Sequence, residues 1–249
     1  MTSRPTRLRV PFDPPLVEGT LLRRYKRFLA DVRLRDGREV TAHVPNTGAM
    51  TGCNVPGSRC WISPSDRPGR KLAWTLEVVD AGPALVAVHT GRTNDLAGRL
   101  LAARALPELA PWPTVRREVR FGRSRLDFVL EGARDRPPCA LEVKSVTLAR
   151  GELGLFPDAV TARGTRHLEL LAELRRERGM EAALLFVVQR GDVRAVAPAG
   201  EIDPCYAETL RRVVGREGVL ALAWGFRVSP REMVSLGRLP VRLATVPTP

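Results

Sequence analysis

The run Ala140-Leu141-Glu142-Val143-Lys144-Ser145-Val146 sets a carboxylate and an ammonium at alternate positions of an otherwise apolar strand. Alternate residues share a face, so Glu142 and Lys144 point the same way. A strand this apolar belongs inside a sheet, where burying both charges is costly unless each is paired or used. The fold must therefore bring other polar groups to this strand.

A hairpin upstream supplies them. Phe121-Gly122-Arg123-Ser124 separates the alternating runs Val115–Phe121 and Ser124–Leu130. Gly first in a two-residue loop predicts a type II′ turn. With Gly122 and Arg123 as that loop, Glu118 lies across from Asp127, Val119 from Leu126 and Arg117 from Phe128. One face is mainly apolar, and the other carries Glu118, Asp127, Arg116, Arg120 and Arg125. Opposed carboxylates repel, so a positive group is expected between them.

The flanking sequence frames these strands. Asn94 reads as a helix cap, with Leu96, Leu100, Leu101 and Ala105 at helical spacing before Pro107. The third strand, Ala140–Leu148, precedes a helix predicted from about Asp158 to Arg178, with Leu168, Leu171 and Leu174 on one stripe and Gly179 as its stop. Ala182–Val188 reads as a buried strand and Tyr206–Arg216 as a last helix. Together they predict an α/β/α sandwich with a mixed sheet over residues 89–249, with a loose tail after Leu239.

Residues 1–88 read differently. Leu16–Tyr25, Phe28–Leu34, Val40–Val44, Arg59–Ser63, Leu72–Val79 and Leu85–His89 are short strand-like runs bounded by Pro or Gly. They predict a small OB-like β-barrel, giving an α+β / α/β chain of two domains. Arg23-Arg24-Tyr25-Lys26-Arg27 gathers four cations around one aromatic, a pattern suited to single strands in a basic groove. A solvated barrel edge is the other reading.

The balance of charge agrees with an acidic partner. Forty Lys and Arg against 27 Asp and Glu leave +13, pointing to nucleic acid before an anionic membrane surface. The Arg excess itself reflects GC-rich coding. Only Lys26, Lys71 and Lys144 are Lys, so each is a candidate for chemistry that a guanidinium cannot do. No apolar run is long enough to span a bilayer, and Leu8–Val17 is too broken by Arg, Asp and Pro for a signal-peptide core. A cytoplasmic protein without a membrane role is expected. Cys53, Cys60, Cys139 and Cys205 form no C-x-x-C pair, and three histidines add no zinc pattern.

Asp127, Glu142 and Lys144 together resemble the PD-(D/E)xK nuclease superfamily. Leu126 stands where Pro commonly precedes the Asp, and the helical Glu of some members is absent; Glu118 is assigned that supporting role. The resemblance implies that Glu118, Asp127 and Glu142 hold Mg²⁺ (or Mn²⁺) and that Lys144 activates water, which suits oxygen ligands and a tunable ammonium. Arg24–Val32, His43–Gly48, Arg70–Thr75, Ser124–Phe128, Glu142–Leu148, Phe156–Thr161, Arg163-Gly164, His167-Leu168 and Ile202–Pro204 are similar to the sugar fermentation stimulation protein A family. That resemblance covers roughly Leu16 to Pro240. It implies an OB-like domain, a nuclease-like domain and DNA binding, with Arg70, Lys71 and Arg125 joining the basic run.

Other residues stay open between roles. Arg163 and His167, at i and i+4, reach a scissile phosphate or form a helix-surface pair. Gln189 and Arg190 join the site or merely end a strand. His43 stabilises its loop or touches ligand, and Trp61, Trp74, Trp112 and Trp224 read as core. The leading expectation is a DNA-binding, Mg-dependent endonuclease leaving a 5′-phosphate, as a homodimer if both strands are cut. The alternatives are a non-catalytic DNA-binding transcriptional regulator of sugar (maltose-type) metabolism genes and, weakest, a sugar sensor, which wants an aromatic-lined pocket.

Overall fold

A computed structural model describes residues 7–65, 69, 71–122 and 124–243. Its first strand, β1 (Arg9–Pro11), does not join the barrel expected of residues 1–88. It pairs antiparallel with the chain's last strand, Arg9 opposite Val234, because buried Val10 and Phe12 pack into the sandwich core.

The barrel begins after it. β2 (Val17–Tyr25), β3 (Leu29–Leu34), β4 (Glu39–His43), β5 (Arg59–Pro64), β6 (Trp74–Asp80) and β7 (Leu85–Ala87) follow the order β4-β3-β2-β5-β6-β7. Parallel pairing of Ala42 with Trp74 and His43 with Thr75 joins β4 to β6 and closes the barrel. Leu21, Val32, Ala42, Ile62, Leu76 and Val79 fill its interior with no exposed surface. This is the OB-like architecture, and every barrel strand coincides in outline with a predicted run.

The second unit opens with α1 (Gly91–Ala102). Thr90, not Asn94, stands at its N-cap. Then come β8 (Thr114–Phe121), β9 (Ser124–Glu131), β10 (Cys139–Val146), β11 (Leu148–Arg150), β12 (Leu153–Phe156), α2 (Ala162–Arg178), β13 (Glu181–Val188), β14 (Ala195–Pro198), α3 (Pro204–Gly215), β15 (Leu220–Val228) and β16 (Glu232–Leu239). The large mixed sheet has the order β1-β16-β15-β13-β10-β9-β8, parallel across β10, β13 and β15. β11, β12 and β14 form a small second sheet beside it.

Each face of the large sheet has its own core. Leu141, Val143, Leu185 and Val187 pack against α1 and against Trp61 and Val78 of the barrel. Ala140, Leu184, Phe186 and Val188 pack against Leu168 and Leu171 of α2 and Leu210 of α3. Glu142 and Lys144 alternate with the first set and so face α2.

Local signals explain the boundaries. The β8–β9 register is the predicted one, Val119 opposite Leu126 and Arg117 opposite Phe128, with Gly122 at φ +57; Arg123 lies outside the described residues. α2 starts later than predicted because Thr161 caps it, accepting the Gly164 N–H at 3.0 Å. Gly179 ends it in the left-handed region at φ +62, as the sequence predicts. The hairpin β15–β16 has no counterpart in the sequence reading.

Candidate active site

β9 and β10 pair only from Cys139 to Leu141, the last rung joining Leu141 to Phe128. Beyond that rung the strands fork. The next residues on each side are Glu142 and Asp127. Asp127 fills part of the gap itself: its Oδ2 accepts the orphaned Val143 N–H at 2.8 Å. Its Oδ1 accepts from Asn94 Nδ2 at 2.7 Å.

Glu142 is 2% exposed, and its Oε1 takes two donors. Lys144 Nζ lies 2.6 Å away, and His167 Nδ1 makes a second, short contact to the same oxygen. Arg163 Nε donates to His167 Nε2 at 3.3 Å, and a guanidinium has no acceptor to offer. Nε2 is therefore the bare nitrogen, and Nδ1–H is the donor to Glu142. Glu142 Oε2 and the Tyr206 hydroxyl are buried without a hydrogen-bond partner.

These contacts push the two carboxyl groups in opposite directions. Burial, reinforced by the neighbouring Glu142 charge, raises the Asp127 pKa despite the Val143 and Asn94 hydrogen bonds. Burial also pushes Glu142 up, but the His167 hydrogen bond and the Lys144 charge outweigh it, leaving the pKa lowered. Burial lifts Tyr206 well above the ordinary phenol range, and the Glu142 charge adds to this.

The site fits a hard divalent cation. Two carboxylates converge at the fork, and Glu142 Oε2 has a free lone pair with no protein donor. A cation of the Mg²⁺ class needs only one or two carboxylates and keeps several waters. The expected third ligand is missing, however. Glu118 turns to φ +57 in mid-strand, pairs with Arg125 at 2.6 Å and leaves its side chain 44% exposed. The β8–β9 ladder skips the predicted Glu118–Asp127 pair for that reason. Among the described residues, no three His, Cys, Asp or Glu side chains gather as a metal site.

The predicted basic residues divide. Arg23 pairs with Asp31 at 2.7 Å and lies over the Tyr25 ring at 4.7 Å, while the Tyr25 hydroxyl donates to Asp31 at 3.2 Å. Arg24 is structural: it donates to the main-chain oxygens of Arg27, Asn46, Gly48 and Ala49. Lys26 and Arg27 form an exposed turn with φ +46 and +64. Lys71 is exposed, and Arg70 lies outside the described residues. Arg163 and His167 share one face of α2, as their i, i+4 spacing predicts, and both line the groove beside Glu142.

Gln189 and Arg190 serve the frame. Gln189 Nε2 bonds Thr93 Oγ1 at 3.1 Å and Ser145 Oγ at 2.7 Å, joining α1 to β10. Arg190 pairs with Asp192 at 2.7 Å. Trp61, Trp112 and Trp224 are buried, as expected of core. Phe12, Trp61 and Trp74 nevertheless line a cleft of about 730 Å³ beside the barrel, so a low aromatic count does not exclude an aromatic-lined hollow. Asn94 is a site residue that the sequence suggests only as a helix cap; its place three residues into α1 puts it over β9 instead.

Comparison with known proteins follows the same division. The chain matches the SfsA N-terminal OB domain over residues 22–88 and the Sugar fermentation stimulation protein RE domain over residues 91–232. A sugar fermentation stimulation protein homolog of Thioalkalivibrio sulfidiphilus is 54% identical over 226 residues, 90% of this chain and 94% of that one. The Geobacter metallireducens homolog is 51% identical, covering 92% of this chain and 98% of its own. Pyrococcus furiosus SfsA, solved in complex with Ca²⁺, superposes with a TM-score of 0.86 at 28% identity, covering 94% of this chain and 99% of that one.

Proposed function

The chain belongs to the sugar fermentation stimulation protein family, and on that premise we propose that it binds DNA and hydrolyses phosphodiesters with a divalent cation. The observation that carries the reading is the fork, where Asp127, Glu142 and Lys144 converge with one carboxylate oxygen left over. Pyrococcus furiosus SfsA was solved in complex with Ca²⁺, so a protein of this fold takes up a divalent cation.

Asp127 and Glu142 would hold Mg²⁺ or Mn²⁺, which supplies Lewis-acid polarisation of the phosphodiester and a more acidic water. Asn94 and the Val143 N–H fix the Asp127 carboxylate so that it faces the groove. His167 and Lys144 keep Glu142 ionised in a buried place where it would otherwise take up a proton. The Lys144 ammonium is compact, and its proton can move, so it orients the attacking water and offsets charge on the phosphate. Arg163, one helical turn before His167, stands at the mouth to grip a phosphate oxygen. The product carries a 5′-phosphate, and the setting is the cytoplasm, where DNA is the polyanion at hand. No helix among the described residues is long and apolar enough to cross a membrane.

The second reading is a DNA-binding transcriptional regulator that keeps the fold without cutting. Its support is that Lys144 is paired with Glu142 Oε1 at 2.6 Å within the protein, so the ion pair stands without a substrate. Labelled single-stranded, duplex and branched DNA, incubated with Mg²⁺, Mn²⁺ or EDTA, separate the two. Metal-dependent cleavage by the wild type and its loss in Lys144→Ala are expected. Binding without cleavage in either metal would favour the regulator.

A further inference from the structure

Arg27, Asn46, Thr47 and Gly48 of the barrel line the same groove as Asp127, Glu142, Lys144 and Arg163 of the sandwich. The barrel side of the groove is fastened down. Asn46 is buried, donates from Nδ2 to Val88 O at 3.0 Å and accepts the Gly48 N–H at 2.8 Å. Arg24 holds three more carbonyls of this loop from beneath. From the opposite wall Asp158 accepts the Met50 N–H at 3.0 Å. It lies so close to Gly48 that a Cβ there would overlap Asp158 Oδ1. The loop is braced by its own hydrogen bonds, and the Met50–Asp158 bond with the Gly48 contact ties it to the wall, which fixes the width at that point.

Depth points the same way. The hollow measures about 530 Å³, within the range that encloses one small ligand, and Glu142 on its floor is 2% exposed. A base pair in a duplex carries its two backbones on the outside of a rigid stack and cannot narrow to follow such a slot. A single strand can, because each phosphate enters separately. The rim suits one as well. Arg27 and Arg163 have no acidic partner among the described residues. Phe28 follows Arg27 in the chain and is 41% exposed, and Val160, which lines the groove, is 77% exposed.

We propose that the groove selects single-stranded DNA, the backbone passing between Arg27 and Arg163 and a neighbouring base resting on Phe28, and that paired duplex is excluded. The proposal rests on the phosphodiester reading of the site and names its substrate. Stacking on an exposed aromatic tolerates any base, so little sequence preference accompanies it. One active site per chain then suffices, and cleavage needs no second copy.

The test uses the full chain and labelled oligonucleotides of one sequence, as single strand, blunt duplex and duplex with a single-stranded overhang. Binding is read by fluorescence anisotropy in EDTA, and cleavage separately in Mn²⁺. The single strand and the overhang should bind about tenfold tighter than the blunt duplex, with Phe28→Ala losing most of that margin. Arg27→Ala should lower the salt slope by about one ion. Both side chains are exposed, and circular dichroism checks that both variants fold. Equal or tighter binding of the duplex overturns the proposal, as does a preference untouched in the double variant. Strand selection without cleavage in any metal would defeat the nuclease reading and leave the strand assignment standing.

Discussion

Asn94 Nδ2 donates to Asp127 Oδ1 at 2.7 Å, linking the first turn of α1 to the strand where the sheet forks. Groups that orient a metal-binding carboxylate typically contribute about 10- to 100-fold to metal affinity or activity. Asn94→Ala should weaken the Mn²⁺-induced rise in melting temperature and slow cleavage by about tenfold, with little change in metal-free stability. Asn94→Asp should do worse, since a third negative charge would drive the Asp127 pKa higher still. Wild-type behaviour in both variants would remove Asn94 from the site.

Much of this was legible in the sequence, because the governing signals are local. Gly122 fixes the hairpin register, and the alternation in Ala140–Val146 fixes which face Glu142 and Lys144 share. The Glu118 assignment failed because ideal alternation ignores a residue that turns to φ +57 and hands its carboxylate to Arg125. Arg24 reads as a phosphate-gripping cation in the sequence, yet its acceptors come from a loop more than 20 residues away, which no local pattern reveals. β1 and β16 pair across nearly the whole chain, so neither strand advertises its partner.

Arg24 should therefore behave as a stability residue. Arg24→Ala strips donors from four carbonyls, two of them part-buried. A cost of about 2–3 kcal/mol is expected, read as a lower urea midpoint. Lys26→Ala should leave the midpoint alone and weaken binding to DNA at low salt. The reverse pattern would return Arg24 to the DNA-contacting set.

Gly48 and Asp158 should be coupled. Gly48→Ala pushes a methyl onto the Asp158 carboxylate, which cannot retreat without releasing the Met50 N–H. A loss of about 1–3 kcal/mol is expected from this overpacking. Asp158→Ala removes the obstacle, so the double variant should lose less than the sum of the single losses. Strict additivity, measured in a double-mutant cycle of urea midpoints, would show that the loop does not lean on Asp158.

His89 makes the domain junction sensitive to acid. It sits between β7 and α1, where its Nδ1 is buried without a hydrogen-bond partner. Glu77 of β6 and Arg92 of α1, paired at 2.7 Å, share its cleft with His43 of β4 and Asp13. Burial lowers the His89 pKa from its ordinary 6.5; Glu77 opposes this, and the Arg92 and His43 charges add to it. The folded protein thus releases this proton at lower pH than the unfolded chain does. Between those two values the unfolded chain binds more protons, so stability rises with pH. The contribution is fully present above the unfolded value and is lost as pH falls below it. Urea midpoints measured from about pH 7.5 down to about pH 5.5 should therefore decline in the wild type. His89→Asn carries no titrating group and should decline less over the same span. An identical decline in both proteins would assign the acid sensitivity to other groups.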